Sequence, residues 1–159
     1  MQVRELMTSN VACLQSSDTL SEAARVMWDC DCGAIPVTDG SGRVVGMITD
    51  RDICMATWSR DQPPSGIRIA DAMSRDLFYC SPSDSVSSAE FLMRAKQIRR
   101  VPVLDANEKL VGILSLADIV NRARRTEGPT PSELSAGEIT ATLGNICQPR
   151  ASAVARAQA

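Results

Sequence analysis

The chain has 159 residues, a formal net charge of −2 at pH 7 and a charged fraction of 23%, values ordinary for a globular domain. A nearly neutral chain lacks the broad basic surface that nucleic acid or an anionic membrane attracts. No run of 18 apolar residues predicts a transmembrane helix, and the first residues lack the apolar core of a secretory signal. We therefore expect a cytoplasmic protein that binds neither nucleic acid nor membrane.

Histidine is absent and the six cysteines are irregularly spaced. Without histidine there can be no Ser-His-Asp or Cys-His nucleophilic site and no HExxH zinc site. Cys30 and Cys32 form the only close cysteine pair, and one intervening residue is not a usual zinc spacing. The chain is predicted to be no enzyme, to bind no metal, and to keep its thiols reduced.

An internal repeat organises the rest of the sequence. Residues Val3–Ile53 align without a gap with Ile69–Ile119, at a constant offset of 66, and 13 of the 51 aligned positions are identical. Two copies are too few for a solenoid. They predict a pseudo-two-fold pair in which each copy covers the open apolar face of the other.

In chain order, each copy has the pattern strand, helix, strand, strand, helix. Thr19 and Glu22 predict a capping box at the start of the first helix. The elements predicted for the first copy are a strand at Val11–Leu14, a helix from Leu20, strands at Ala34–Thr38 and Val44–Thr49, and a helix from Asp50. Those of the second copy are Leu77–Cys80, a helix from Val86, Val101–Leu104, Leu110–Ser115 and a helix from Leu116. Helices on one face of a small sheet make an α+β fold.

The glycines of Asp39–Gly42 have two interpretations, a phosphate-binding loop or a hairpin turn. A phosphate loop needs a helix directly after its glycines, and here a predicted strand follows, which favours the hairpin.

The predicted boundaries are repeat 1 at 3–59, a linker at 60–68, repeat 2 at 69–125 and an extension at 126–147. Pro63, Pro64 and Gly66 break any helix in the linker. The extension carries an amphipathic pattern over 132–146, with Ser132 as its cap, and residues 148–159 are predicted to be disordered.

The same four-residue pattern, S/T-x-x-D, closes each copy. It occurs as Thr49 to Asp52 and as Ser115 to Asp118, where a strand ends and a helix begins. One interpretation is a helix capping box. The other is a ligand site, since an ionised carboxylate accepts hydrogen bonds from both vicinal hydroxyls of a ribose. The repetition of the pattern does not separate the two.

Both copies resemble the CBS domain. The resemblance is carried by Met7-Thr8 and Met73-Ser74, the strands that contain Pro36 and Pro102, the Val-Gly pairs at 45 and 111, and the two S/T-x-x-D-Ile segments. It covers residues 3–119, and the first copy is similar to small stand-alone bacterial CBS pairs of the hypoxic-response type. The family implies a Bateman module: two clefts between the repeats, each using the S/T-x-x-D of one repeat and walls from the other.

Carried over by position, the family implies two sets of ligand-binding residues. One cleft would use Ser115 and Asp118 with Val11, Ala12, Ile35 and Pro36, and the other Thr49 and Asp52 with Leu77, Phe78, Val101 and Pro102. Possible phosphate contacts are Arg51, Arg99 and Arg100, with Lys109 further off, although each is equally interpretable as a surface charge. Gly33-Ala34 stands opposite Arg99-Arg100, and Ala12 opposite Phe78, so two unequal clefts are expected.

The resemblance implies a sensor that requires no cofactor and binds AMP, ADP, ATP, NAD(H) or S-adenosylmethionine. A homodimer is implied, with a regulated protein on a separate chain. The alternative is a stress-related scaffold with vestigial clefts, whose association is redox-linked through Cys30 or Cys32. A small enzyme has no motif behind it.

Overall fold

The computed structural model describes residues 1–125 and 136–147. Repeat 1 contains β1 (Leu14–Gln15), α1 (Leu20–Asp29), β2 (Ala34–Thr38), β3 (Val44–Thr49) and α2 (Asp50–Arg60). Repeat 2 contains α3 (Val86–Lys96), β4 (Arg100–Leu104), β5 (Leu110–Ser115) and α4 (Leu116–Arg125), followed by α5 (Ala136–Ile146). The α+β fold of two repeats is confirmed. Ser132, the predicted cap, and the tail at 148–159 lie outside the described residues.

Each repeat is built on an antiparallel hairpin. β2 pairs with β3 and β4 pairs with β5, while β1 adds a short parallel strand beside β2. Asp39–Gly42 closes the first hairpin: the amide of Asp39 donates to the carbonyl of Arg43 at 2.9 Å, and Gly42 has a φ of 82°. The hairpin interpretation of these glycines is therefore confirmed.

The first strand of each repeat is shorter than predicted. Pairing is limited to Leu14–Gln15 in repeat 1, and in repeat 2 it shrinks to one bridge between Cys80 and Val103. The predictions of strands over Val11–Leu14 and Leu77–Cys80 were therefore wrong in extent. Both segments cross from one repeat to the other, so only their last residue lies close enough to a strand to pair with it.

The segments at the start of the two repeats are exchanged between the two hydrophobic cores. We call residues 1–8 arm 1 and residues 67–74 arm 2. Val3 of arm 1 is fully buried in the core of repeat 2, beside Val101 and Leu114. Ile67 and Ile69 of arm 2 are buried in the core of repeat 1. Arm 1 therefore completes the hydrophobic core of repeat 2, and arm 2 completes that of repeat 1.

The exchange obeys the offset of 66 residues seen in the sequence. Thr8 bridges to Ile113, and the equivalent residues Ser74 and Met47 bridge in the same way. Arg43 bridges to Lys109, its own counterpart in repeat 2. A contact between a residue and its own counterpart lies on the symmetry axis, so the pseudo-two-fold axis passes between the two hairpin turns.

Helix α5 breaks this symmetry. It packs on α3 and α4, and its Ile139 is buried in the core of repeat 2. Within residues 1–125 and 136–147, no helix is long and apolar enough to cross a membrane.

Candidate ligand-binding site

The first S/T-x-x-D pattern caps α2. The hydroxyl and the amide of Thr49 donate to Oδ2 of Asp52 at 2.6 and 2.9 Å, and the amide of Asp52 donates back to Oγ1 of Thr49 at 3.2 Å. Thr49 and Asp52 therefore form the predicted capping box. Their hydrogen bonds satisfy backbone amides that the start of a helix would otherwise leave unpaired.

The second pattern repeats the geometry at the start of α4. Ser115 donates its hydroxyl and its amide to Oδ2 of Asp118 at 2.6 and 2.8 Å, and the amide of Asp118 returns a bond at 3.2 Å. Both carboxylates use Oδ2 for the cap. In the part of the chain that the structure describes, Oδ1 of Asp52 and of Asp118 accepts no hydrogen bond. The helix caps therefore leave the second oxygen of each carboxylate uncommitted within the described residues.

A crossing segment brings Leu77 and Phe78 toward the Thr49–Asp52 end of repeat 1. Ser74 exchanges two backbone hydrogen bonds with Met47, two residues before Thr49. Six residues later, Cys80 pairs with β4 at Val103. Leu77 and Phe78 lie between these anchors, both half-buried, where the chain crosses from repeat 1 to repeat 2.

The equivalent segment does the same at the other junction. Thr8 exchanges two hydrogen bonds with Ile113, two residues before Ser115, and Leu14 pairs with Val37 of β2. Val11 and Ala12 lie between these anchors, Val11 half-buried and Ala12 exposed. The two segments that carry Val11 and Ala12 and, in the other repeat, Leu77 and Phe78 are thus the two segments by which the chain crosses between the repeats.

The strand residues of the predicted clefts are less accessible than expected. Ile35 and Val101 have no exposed surface and belong to the two hydrophobic cores, and Pro36 and Pro102 are also buried. Ile35 and Val101 therefore offer no accessible surface to a ligand in this structure.

Sequence reasoning missed one cation beside the site. The ammonium of Lys96 lies 4.6 Å from the centre of the Phe78 ring, within the range of a cation–π contact. The counterparts of these residues are Cys30 and Ala12, which can form no such pair. The arginines differ in accessibility: Arg51 and Arg99 are exposed and Arg100 is half-buried. The offset of the repeats could have flagged Lys96, because it places a lysine opposite a cysteine.

A cavity of about 380 Å³ lies elsewhere, on the outer side of repeat 1. Its lining contains none of the predicted site residues; it consists of Ala24, Met27, Trp28, Cys32, Asp50, Ile53 and Cys54. Burial raises the pKa of the Cys32 thiol above its ordinary value, which lowers its thiolate fraction at neutral pH.

The comparisons with known proteins agree with the repeat. A model of the CBS domain matches residues 3–58 and 69–125. The CBS domain-containing protein YhcV of Bacillus subtilis is 38% identical over 117 residues, which are 74% of this chain and 81% of that protein. Hypoxic response protein 1 of Mycobacterium tuberculosis is 33% identical over 116 residues, 73% of this chain and 80% of that protein. Where an enzyme matches, such as the inosine-5'-monophosphate dehydrogenase of Methanocaldococcus jannaschii, the match spans 23% of the enzyme.

Solved structures give the same fold. Hypoxic Response Protein I with two coordinated zinc ions superposes with a TM-score of 0.70 at 31% identity, covering 76% of this chain and 98% of that one. The CBS domain pair of MJ0100, in complex with 5-methylthioadenosine and S-adenosyl-L-methionine, gives 0.73 at 24% identity, covering 80% and 98%. CBSX2 in complex with AMP gives 0.69 at 24% identity, covering 80% and 98%.

The zinc ions of the first of these structures raise the question of which side chains of this chain could bind a metal. The chain has no histidine, and within residues 1–125 and 136–147 no three His, Cys, Asp or Glu side chains are grouped to share a metal ion. The described residues therefore do not fit a zinc centre. Both repeats match the family model, and the chain is a member of the CBS-domain family, with two CBS domains in tandem.

Proposed function

We propose that this chain is a non-catalytic regulatory module that binds an adenosine-containing ligand at the two junctions between its repeats. The observation that carries the proposal is Oδ1 of Asp52 and of Asp118, which accepts no hydrogen bond within residues 1–125 and 136–147. Each aspartate follows a strand, and that strand pairs at Met47 or Ile113 with a segment that crosses between the repeats. The adenosyl ligands of MJ0100 and the AMP of CBSX2 support it, because they are bound by proteins of this fold.

A ribose suits these carboxylates. Its hydroxyls donate, an ionised carboxylate oxygen accepts, and Oδ2 is already committed to the helix cap. The bond to the ligand adds to the cap instead of replacing it. AMP, ADP, ATP, NAD(H) and S-adenosylmethionine all carry this ribose, and all remain candidates.

The two junctions differ in charge and shape. The Thr49–Asp52 junction has Arg51 nearby and the aromatic ring of Phe78 with Lys96 against it. The Ser115–Asp118 junction has Ala12 and Val11 in the equivalent segment. We propose that the first binds a phosphorylated nucleotide better, because a cation and a stacking surface favour an anionic purine ligand.

The test is a thermal-shift and calorimetric titration of the wild type and three variants. A ligand at about 100 times its dissociation constant stabilises the folded state by about 2.7 kcal/mol, or roughly 5–10 °C for a domain of this size. Asp52→Ala and Asp118→Ala should each remove binding at one junction. Glu22→Ala is the matched control, because Glu22 accepts the same capping bonds from Thr19, at 2.8 and 2.9 Å, on α1.

The control separates lost capping from lost binding. All three variants lose the same kind of reciprocal capping bond and should be destabilised to a similar extent, while only the aspartate variants lose ligand. Equal ligand affinity in all three would contradict the proposed role of Asp52 and Asp118. Absence of any shift with the whole ligand panel would contradict the sensor function itself.

The redox-linked scaffold has less support. Cys30 is exposed, but the burial that raises the pKa of Cys32 makes that thiol a poor nucleophile at neutral pH. The cytoplasmic location and the regulated partner on a separate chain stay predictions.

A further inference from the structure

The end of helix α3 contacts both the crossing segment that carries Phe78 and helix α5. Lys96 is the last residue of α3, and its ammonium lies 4.6 Å from the centre of the Phe78 ring. The next residue, Gln97, donates from its side-chain amide to the carbonyl of Asn145 in α5, at 3.2 Å. These two consecutive residues, which we call the α3 corner, therefore connect the crossing segment to α5.

The backbone of the α3 corner is tightly constrained. Gln97 has a φ of 52°, a left-handed conformation that a residue with a side chain adopts only when its surroundings support it. Its amide donates to the carbonyl of Arg94 at 3.4 Å, and the amide of Ile98 donates to the carbonyl of Met93 at 3.0 Å. Because Lys96 and Gln97 share this turn, the position of one side chain restricts the position of the other.

Helix α5 is too short to be stable without the contacts that hold it against repeat 2. It has 11 residues, and isolated helices shorter than about 12–15 residues are marginal in water. It packs mainly on α3 and also on α4, with Ile139 8% and Thr142 2% exposed. The docking equilibrium of such a helix responds to small changes at its contacts, and the α3 corner is one of those contacts.

The contact between Lys96 and Phe78 has no equivalent in repeat 1. At the offset of 66 residues, the counterparts of these two residues are Cys30 and Ala12. A thiol and a methyl group cannot form a cation–π contact. The link is therefore specific to the crossing segment of Phe78, which the proposed function assigns to the Thr49–Asp52 junction.

We propose that α5 responds to a ligand at the Thr49–Asp52 junction, and that the α3 corner carries the response. This inference rests on the proposed ligand-binding function. A phosphorylated ligand brings negative charge toward Lys96 and a purine toward Phe78, so it holds both side chains more firmly. Gln97 then loses less conformational freedom when it bonds to Asn145, and α5 docks more tightly. By linkage, docked α5 strengthens ligand binding by the same factor.

Hydrogen exchange measured by mass spectrometry on the full-length chain tests the response. Saturating AMP should slow exchange of the α5 amides about 2–5-fold, the factor that one exposed cation–π contact contributes to an equilibrium constant. Without AMP, Lys96→Met should accelerate α5 exchange by a similar factor, and it should abolish the effect of AMP. Phe91→Ala is the matched control, because the guanidinium of Arg94 lies 5.7 Å from the centre of this 63% exposed ring on the same helix. The control variant should leave α5 exchange and its response to AMP unchanged.

Calorimetry supplies the reciprocal measurement. Gln97→Ala removes the bond to Asn145, so it should weaken AMP binding by about the factor with which AMP slows α5 exchange in the wild type. The effect of AMP on α5 should also disappear in Asp52→Ala and persist in Asp118→Ala. Loss of the effect in Asp118→Ala alone would place the route through α4, which also contacts α5, and would overturn the role of the α3 corner.

Two outcomes separate this inference from the function on which it rests. Binding of AMP that leaves α5 exchange unchanged or faster would overturn the inference and leave the ligand site intact. If AMP does not bind, the proposed function fails for this nucleotide, and the comparison without ligand still tests the α3 corner. Equal α5 exchange in the wild type, Lys96→Met and Phe91→Ala would then overturn its role.

Discussion

Gly46 of β3 lies where arm 2 crosses repeat 1, and its replacement by alanine tests the exchange of the arms. A Cβ atom at this position would meet the carbonyl oxygen of Ser74 at 2.5 Å and the sulfur of Met73 at 3.1 Å. The oxygen belongs to backbone that is held by two hydrogen bonds with Met47, at 3.0 and 2.9 Å. Gly46→Ala must therefore push arm 2 away from β3 instead of rotating one side chain.

The expected cost of Gly46→Ala has two contributions. Two weakened backbone hydrogen bonds are worth about 1 kcal/mol each, and forced overpacking costs about 1–3 kcal/mol. A loss near 3 kcal/mol lowers the melting temperature by about 6–12 °C in a chain of this length. Because arm 2 continues into Leu77 and Phe78, ligand affinity at the Thr49–Asp52 junction should fall in the same variant.

Two other glycines provide the comparison. At Gly112, the equivalent position, the nearest atom is the flexible side-chain sulfur of Met7 at 2.6 Å, and the carbonyl oxygen of Thr8 lies at 3.0 Å. Gly112→Ala should therefore cost less than Gly46→Ala. Gly40 has nothing within 4 Å, so Gly40→Ala should change stability by less than about 0.5 kcal/mol. Denaturant unfolding with Gly46→Ala no more destabilised than Gly112→Ala would refute this reasoning.

Three further perturbations have a defined sign. Glu108 has a φ of 61° where its counterpart Gly42 has 82°, so Glu108→Gly should stabilise by about 1 kcal/mol in denaturant unfolding, and Gly42→Glu should destabilise by a similar amount. Burial raises the pKa of the Cys80 thiol to about 11. The stability that the buried neutral thiol contributes is complete below the unfolded pKa near 9 and is lost as pH rises toward 11. The free energy of unfolding of the wild type, relative to that of Cys80→Val, should therefore fall by roughly 2–3 kcal/mol over that interval. The hydroxyl and amide of Ser41, with the amide of Arg43, hold the pKa of Asp39 below its ordinary value; this stability is present above the unfolded pKa, so the wild type should lose stability relative to Asp39→Asn as pH falls below about 4.

The local elements could be predicted because their signals are local. The capping boxes at Thr19, Thr49 and Ser115 mark helix starts, and the structure places all three caps at those residues. Alternating burial along β3 follows the period of a strand with one covered side. Such patterns depend only on residues within a few positions of one another, so they can be recognised directly in the sequence.

The exchange of the arms and the position of α5 could not be predicted in the same way. From the sequence alone, Val3 and Ile69 could be assigned to the core of the repeat that follows them or to the core of the other repeat, because the two repeats share their apolar pattern at an offset of 66 residues. The structure distinguishes the two assignments at Gly46 and Gly112. At these positions the absence of a side chain allows the backbone of Ser74 and of Thr8, respectively, to approach the strand closely. A glycine in a strand pattern indicates that another backbone segment approaches closely, but the sequence does not identify that segment.

The exchange also connects folding to the proposed function. Arm 2 seals the core of repeat 1 with Ile67 and Ile69, pairs with β3 at Met47, and then continues as the segment that holds Leu77 and Phe78. A ligand that draws these two residues toward Asp52 would therefore act on a segment anchored in both cores. We expect such a segment to transmit a rotation of one repeat against the other about the axis that passes between Arg43 and Lys109. Arg43→Ala, which removes the 3.4 Å ion pair between Arg43 and Glu108 across the two hairpin turns, should leave affinity at each junction intact while weakening the effect of one bound ligand on the other, measurable as reduced coupling between two titrations.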